Sequence, residues 1–204
     1  MSTAEKIDLY KIHKAEYVAP KKPKLIETEP AQFMVVSGTG GPGGDVFQNR
    51  VEALYAMAYT TKFLSKSAGQ DFTVCKLEGL YGVNGQSFEK LSKISQDKWK
   101  WKLMIRMPDF VDADQLDKTR STLRDKGKEG SFDEVSLENI DEGLCVQMLH
   151  VGPYEEEEQT LAVMRDFLSE QELKAHRWHH EIYLSDPRRV PPEKLRTILR
   201  QPVQ

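Results

Sequence analysis

The segment from Lys98 to Met107 constrains the fold more than any other part of the chain, because it alternates strictly between two kinds of side chain. Its odd positions, among them Trp99 and Trp101, are apolar, whereas most of its even positions carry lysine or arginine. A period of two places these two sets on opposite faces of a β-strand. The pattern therefore predicts an antiparallel strand with one buried and one wetted face, which ends at Pro108.

The patterns along the rest of the chain predict strands and helices in a mixed order. A strand at 33–37 is followed by a glycine-rich turn and by a helix from about Asp45 to Lys66, whose apolar residues recur on one face. The further predictions are a strand at 72–80, a helix at 112–126, a hairpin of 132–137 with 144–151, a helix at 154–173, a strand at 180–185 and a short helix at 192–200. The order strand, helix, strand, strand is followed by an order close to the same, which predicts two similar α+β units.

Composition limits the classes of protein to which the chain can belong. Of its 204 residues, 39% are hydrophobic and 30% are charged, so it can fill a core, yet no apolar run approaches the ~18 residues of a membrane span. A net charge of −3 gives no basic field that would attract nucleic acid. The N-terminal residues contain no apolar signal segment. We therefore expect a cytoplasmic protein with neither a membrane nor nucleic acid as a direct partner.

Two motifs suggest a cofactor or a metal ion, and both are weak. The turn at 38–43 has the spacing G-x-G-x-x-G, but Pro42 removes a backbone donor and the following strand alternates as a wetted strand does, so a flexible turn is favoured over nucleotide binding. His176, His179 and His180 cluster with no cysteine nearby, and neighbours in a strand point to opposite faces. We expect neither a cofactor nor a metal ion.

A carboxylate and several aromatic side chains are better candidates for a ligand site. Glu181 stands in an otherwise apolar strand and shares a face with Tyr183. A carboxylate there is either exposed on a wetted face or buried, and a buried one favours a cationic ligand or has a raised pKa that suits proton transfer. Trp99 and Trp101 offer two flat indoles on one sheet face, which can stack on planar ligands or hold cations.

Three segments together resemble the GyrI-like small-molecule-binding domain family, in its stand-alone branch. They are WKWKLMIRMP at 99–108, HVGPYEEE at 150–157 and HHEIYLSDPRR at 179–189. The resemblance covers about Ala31 to Gln201, nearly the whole chain. It implies an α+β fold of tandem strand-helix-strand-strand (SHS2) units with pseudo-twofold symmetry, in which helices lie on one side of an antiparallel sheet and a ligand groove runs between the units.

The resemblance also implies how the chain is divided and which residues bind. Residues 1–30 are expected to form a polar N-terminal arm, and 31–204 the GyrI-like domain, with halves of about 31–110 and 111–204. Drug-sensing relatives carry an acid on the last strand that faces lipophilic cations, and Glu181 occupies that position here. The residues expected to line the groove around it are Trp99, Trp101, Tyr55, Phe47, Met148, His150, Trp178 and Tyr183.

The implied function is binding of lipophilic, planar, often cationic small molecules such as drugs and xenobiotics. Some stand-alone members hydrolyse cyclopropanoid genotoxins, and a hydrolase of this kind would use Glu181, Tyr55 and Tyr183 as its catalytic residues. The alternative is a non-catalytic module that sequesters drugs or modulates a partner, as topoisomerase-inhibiting relatives are thought to do. In either case the expected partners are hydrophobic aromatic or cationic small molecules, and the chain is a monomer or a homodimer.

Overall fold

A computed structural model describes residues 6–83 and 94–204 of the chain. Within these residues the helices are α1 (Leu9–Ile12), α2 (Asp45–Ser67), α3 (Ala113–Asp125) and α4 (Glu157–Glu170). The strands are β1 (Lys24–Glu27), β2 (Ala31–Thr39), β3 (Leu77–Gly82), β4 (Lys100–Arg106), β5 (Ser136–Ile140), β6 (Leu144–Val151), β7 (His179–Tyr183) and β8 (Arg196–Pro202). The mixed α+β class predicted from the sequence is confirmed.

All eight strands join one antiparallel sheet in the order β1-β6-β8-β7-β3-β4-β2-β5. The order β3-β4-β2 on one side of the centre matches β7-β8-β6 on the other, and a long helix follows both β2 and β6. Two strand-helix-strand-strand units therefore meet where β3 pairs with β7. This junction is the middle of the sheet.

The two edge strands tie these units together. Strand β1 precedes the first unit but pairs with β6 of the second, and β5 precedes the second unit but pairs with β2 of the first. Each unit thus completes the sheet of the other. The expected hairpin between 132–137 and 144–151 is wrong for this reason, because β5 takes β2 as its partner and lies at the opposite edge from β6.

The longer helices cover one face of the sheet, which we call the helical face. α2 packs on β2 and β4, α3 packs on α2, and α4 packs on β6. Leu54 and Met57 of α2 are fully buried against Leu103 and Ile105 of β4 in the larger core cluster. A smaller cluster joins Met164 of α4 to the second unit. The apolar positions of β4 thus point to the helices, as their alternation predicts.

The opposite face, which we call the back face, is drier than the sequence predicts. The even positions of β4 were expected to be wetted, yet Met104 and Arg106 are buried. Residues 10–20 lie over this face, and Tyr17 is only 2% exposed where it packs with Ile182 and Ile198. The N-terminal segment therefore contributes to the core as well as an edge strand.

The C-terminal segment also differs from its prediction. Residues 192–200 were expected to be helical, but only Pro192–Lys194 make a single 3₁₀ turn, and β8 then runs to Pro202. Strand β8 pairs with β6 on one side and with β7 on the other. Pairing along both edges outweighs the helix propensity of the local sequence, because it satisfies the backbone donors and acceptors of a buried segment.

No helix in the described residues is both long and apolar enough to cross a membrane.

Candidate functional site

The two central strands place a carboxylate and two tyrosines on the helical face. Glu181 of β7 lies directly opposite Gly79 of β3, and Tyr81 follows two residues along β3 on the same face. Tyr183 stands two residues beyond Glu181. These side chains meet at the junction of the two units, between the regions covered by α2 and α4.

Hydrogen bonds connect the three polar groups in a row. The Tyr183 hydroxyl donates to Oε2 of Glu181 at 2.7 Å, and the hydroxyls of Tyr81 and Tyr183 lie 2.5 Å apart. A phenol has one proton to donate, so while Tyr183 donates to Glu181 the Tyr81 hydroxyl is the donor to Tyr183. The row is a short proton path that ends on a carboxylate.

Gly79 makes this row possible. A Cβ atom at this position would lie 2.7 Å from Cε2 of Tyr81 and 2.9 Å from its hydroxyl oxygen. The Tyr81 ring therefore lies across the glycine backbone, in space that any side chain would occupy. This close approach brings the Tyr81 hydroxyl to Tyr183 on the neighbouring strand.

Burial changes the acidity of Glu181. Desolvation raises the pKa of its carboxyl from 4.5 to about 7, against the hydrogen bond from Tyr183 and the charge of His180, which favour ionisation. Its side chain keeps 14% exposure, so solvent and small solutes can reach it. A carboxyl group that is half ionised near neutral pH is suited to accepting or donating a proton.

A second carboxyl group, Glu157, belongs to the same site. Glu157 is the first residue of α4, only 8% exposed, and its carboxyl group lies beside Thr197 of β8. Thr197 is the cross-strand neighbour of Tyr183, so Glu157 lies beside the tyrosine row. Burial and the charge of Glu181 raise the pKa of Glu157 well above its usual value.

Two more side chains border the carboxyl groups. The ring of Tyr154 meets that of Tyr183 edge to face, with 5.8 Å between their centroids. His179 places its Nε2 atom 3.7 Å from Oε1 of Glu181. Burial lowers the pKa of His179 to about 3, so its imidazole is neutral and does not compensate the charge of Glu181.

The back face of the same strand holds carboxylates in the opposite situation. His180 is fully buried and lies 2.9 Å from Glu78 and 2.8 Å from Glu142. Arg200 reaches Glu142 at 3.1 Å, and Tyr17 donates to Glu78 at 2.8 Å. The pKa of His180 is raised to about 9 by the Glu142 carboxylate against burial, and the pKa of Glu142 is lowered to about 2 by His180 and Arg200 against burial.

Of the two tryptophans predicted to stack on a ligand, one reaches the site and one lies in the core. The Trp99 ring contacts Tyr81 edge to face with centroids 6.2 Å apart, and it is half-buried. Trp101 is only 1% exposed, because its ring fills the space above Gly38, where a Cβ atom would be 2.2 Å from it. The Trp101 indole thus packs the interior beneath α2.

The two candidates on α2 lie on the side of the first unit. Phe47 packs edge to face on Trp101, with centroids 5.1 Å apart. Tyr55 stacks on Tyr59 at 6.2 Å, and burial together with the charges of Tyr59 and Asp186 raises its pKa. Asp186 lies just beyond β7, so Tyr55 stands near the end of that strand, but no hydrogen bond links it to the tyrosine row in the described residues.

The two candidates on β6 are occupied with structural contacts. Met148 packs against Met164 in the core below α4. His150 has its Nδ1 atom 2.9 Å from the Thr160 hydroxyl and its Nε2 atom 3.1 Å from the Pro153 carbonyl. Both nitrogens of this imidazole therefore hold the turn that begins α4 and are not available to a ligand.

Trp178 is separated from the other candidates by the sheet. Its indole covers Gly82, where a Cβ atom would be 2.4 Å from Cδ1 of Trp178. Gly82 and Glu78 share the back face of β3. The structure therefore brings together Glu181, Tyr183 and Trp99, and places Trp178 on the other side. The described residues contain no group of His, Cys, Asp and Glu that could hold a metal ion.

Sequence reasoning missed Tyr81, Tyr154 and Glu157. Tyr81 lies one residue beyond the predicted strand at 72–80, and its partner Gly79 gives no signal without the pairing register. Glu157 stands in a run of four glutamates at a helix start, where carboxylates ordinarily complement the helix dipole in solvent. In the segment GPYEEEE, the aromatic residue Tyr154 next to the glutamates is the feature of the sequence that could have indicated a contact with Tyr183.

Comparison with known proteins agrees with this fold. The model of the GyrI-like small molecule binding domain matches residues 21–204. The crystal structure of an uncharacterized conserved protein from Listeria innocua is 39% identical, with a TM-score of 0.89 over 98% of this chain and all of that one. A structure described as a hydrolase from Listeria innocua is 38% identical, with a TM-score of 0.86 over the same shares.

A more distant likeness extends the same fold to another protein. The C-terminal domain of EcmrR has a TM-score of 0.61 at 9% identity, over 90% of this chain and 97% of that domain. No curated protein matches the chain. Because the family model spans nearly all of the described sheet, the chain belongs to the family of GyrI-like small molecule binding domains.

Proposed function

We propose that the chain binds planar, lipophilic, often cationic small molecules at the junction of its two units, and that it hydrolyses cyclopropanoid members of this class. The observation that carries the proposal is the row from Tyr81 through Tyr183 to Glu181, which ends on a carboxyl group with a pKa of about 7. The relative from Listeria innocua that is described as a hydrolase supports a catalytic site.

The binding half of the proposal depends on charge and on aromatic surface. Glu181 and Glu157 are buried carboxyl groups, and neither forms an ion pair with a lysine or arginine in the residues that the structure describes. A cation that enters the site supplies the missing charge. Trp99, Tyr154 and Tyr183 offer flat rings for stacking and for cation–π contact.

The hydrolytic half assigns a proton acceptor and a hydrogen-bond donor. Glu181 accepts a proton from water while the water oxygen bonds to a cyclopropane carbon. The strained carbon–carbon bond breaks, and its electron pair moves to a conjugated carbonyl oxygen, which becomes a phenolate and takes a proton from solvent. Glu181 afterwards releases its own proton to solvent. Once Glu181 is protonated, the Tyr183 hydroxyl no longer needs to donate to it and can donate to the developing oxyanion instead.

Substitution of Glu181 tests this role directly. Turnover of a cyclopropanoid compound, followed by the absorbance of its phenol product, is expected to fall ~100-fold or more in Glu181→Gln, while quenching of tryptophan fluorescence by the compound persists. Glu158→Gln is the matched control, because Glu158 is an exposed glutamate near the start of α4 that pairs with Arg165 and makes no contact with the tyrosine row in the described residues. Full turnover by Glu181→Gln would exclude Glu181 as the base. Binding without turnover in the unsubstituted protein would indicate a sequestering module.

A further inference from the structure

Glu157 is a buried carboxyl group whose surroundings do not explain its burial. It is more than nine-tenths buried, and its Oε1 atom has no hydrogen-bond partner among the described residues. An unpaired carboxyl oxygen in the interior costs free energy that a helix start in solvent would not incur. A group kept in this state at a binding site is a candidate for contact with the ligand.

The position of Glu157 places it beside Glu181. Its carboxyl group lies beside Thr197, which is the cross-strand neighbour of Tyr183, and Tyr183 in turn donates to Glu181. The Tyr154 ring, three residues earlier in the chain, packs edge to face on the same Tyr183 ring. Two elements, the start of α4 and strand β7, thus bring two carboxyl groups to one tyrosine.

We propose that Glu157 and Glu181 form one two-carboxyl site, which holds a shared proton when empty and releases it to solvent when a cationic ligand binds. The proposal rests on the proposed ligand site and adds a second residue and a proton exchange to it. Two like charges in a buried site cannot both ionise cheaply, so one carboxyl group stays protonated. A bound cation compensates the first negative charge and allows the second to form.

The other groups around the pair leave this charge balance intact. Glu155 and Asp186 add negative charge on the solvent side, and His180 adds positive charge from the back face, where Glu78 and Glu142 already bind it. His179 is neutral beside Glu181. The groups that complete the surroundings are uncharged at neutral pH, namely Tyr81, Tyr154, Tyr183 and Thr197.

The site should therefore distinguish ligands by charge as pH changes. A permanent cation gains affinity as pH rises through neutrality, because fewer protons must be released on binding. A neutral ligand of the same shape gains nothing and weakens once the pair ionises. N-methylacridinium and N-methylacridone are a suitable planar pair of probes, one charged and one neutral.

The test is calorimetry of the full chain at pH 8, in buffers of different ionisation enthalpy, with both probes. The unsubstituted protein is expected to release roughly half a proton or more per bound N-methylacridinium and none per bound N-methylacridone. In Glu157→Gln the cation still binds, but proton release falls to near zero, because Glu181 alone is already ionised at this pH. Glu158→Gln is expected to release as many protons as the unsubstituted protein.

Two results would overturn the inference and leave the proposed ligand site standing. One is binding of the cation by the unsubstituted protein with no proton release, which needs no variant and holds even if Glu157→Gln fails to fold. The other is undiminished release by a folded Glu157→Gln. A protein that binds neither probe would instead contradict the proposed function itself.

Discussion

The two faces of strand β7 hold buried glutamates in opposite electrostatic surroundings. On the back face, His180 and Arg200 compensate Glu78 and Glu142, and the pKa of Glu142 is lowered to about 2. On the helical face, the partners of Glu181 among the described residues are the Tyr183 hydroxyl and the neutral imidazole of His179, and burial raises its pKa to about 7. Both carboxyl groups are buried, so the difference between their pKa values follows from His180 and Arg200, which pair with Glu142 and, within the described residues, not with Glu181.

This difference assigns separate tasks to neighbouring residues. The back-face network joins the N-terminal segment to both units, because Arg200 donates to the Glu16 carbonyl at 2.5 Å and Arg106 pairs with Glu16 at 2.9 Å. It is a structural network in which each charge has a partner. On the helical face, neither Glu157 nor Glu181 pairs with a lysine or arginine of the described residues, which costs stability and suits the ligand site proposed above.

The largest expected effect is on the back face. His180→Ala leaves Glu78 and Glu142 buried with less compensation and is expected to lower the free energy of unfolding by ~3–5 kcal/mol, measured by urea denaturation. The matched variant on the other face is Glu181→Gln, which removes no partner from a buried charge. Equal losses in the two variants would show that the faces do not differ as described.

The dependence of stability on pH sharpens the same contrast. A histidine with a pKa of about 9 in the folded state and 6.5 unfolded stabilises fully below pH 6.5, and this contribution is lost as pH rises through 9. Glu142 contributes above pH 4.5 and loses its contribution as pH falls through 2. Thermal melts are expected to show greatest stability between these limits and a decline towards pH 9, and His180→Gln should flatten that decline.

The packing of the tyrosine row gives an intermediate effect. Gly79→Ala places a methyl group against the Tyr81 ring and is expected to cost ~1–3 kcal/mol and to break the contact between Tyr81 and Tyr183. Gly44→Ala is the control, because a Cβ atom there meets nothing closer than 3.9 Å. A fully stable Gly79→Ala with unchanged ligand binding would show that the row is not needed.

Glu181→Gln should change stability in the direction opposite to His180→Ala. A carboxyl group whose pKa is raised on folding opposes the folded state increasingly as pH rises through about 7. The glutamine variant is therefore expected to be ~1–2 kcal/mol more stable than the unsubstituted protein at pH 8 and no more stable at pH 4. A loss of stability at pH 8 would mean that the charged carboxylate is compensated after all.

The smallest expected effect concerns the end of the proton path. Tyr81→Phe removes the donor to Tyr183 without changing the ring that covers Gly79, and it should cost ~1 kcal/mol or less. Because Tyr183 still donates to Glu181, ligand binding should persist, while the midpoint of the Glu181 titration should move upward. Carboxyl titration followed by infrared spectroscopy measures that midpoint.

The features that could be predicted from the sequence are those that depend on local periodicity. Alternation places Glu181 and Tyr183 on one face of β7. Helical spacing predicts both ends of α2 to within one residue. Strand β8 could not be predicted, because its sequence follows two prolines with a helix-like pattern and only pairing on both edges makes it a strand. The exchange of the edge strands β1 and β5 likewise depends on distant partners.

The site was predictable only where one strand carries it. Glu157 and Tyr81 reach Glu181 from other elements, and the pairing register that brings them there leaves no mark in their own segments. Trp178 shows the converse case. It was expected to line the groove because it precedes β7 directly, but its indole lies on the back face, over Gly82. Residues near a site in sequence are separated by the sheet when their parity differs.

The difference between the two faces is tested most directly by titrating the glutamate carboxyl groups with ¹³C nuclear magnetic resonance. Glu181→Gln and Glu142→Gln assign the two signals. We expect the Glu181 signal to titrate with an apparent midpoint near pH 7, and the Glu142 signal to stay ionised until pH approaches about 2. A Glu181 midpoint at or below the ordinary value of 4.5 would contradict an uncompensated carboxyl group on the helical face.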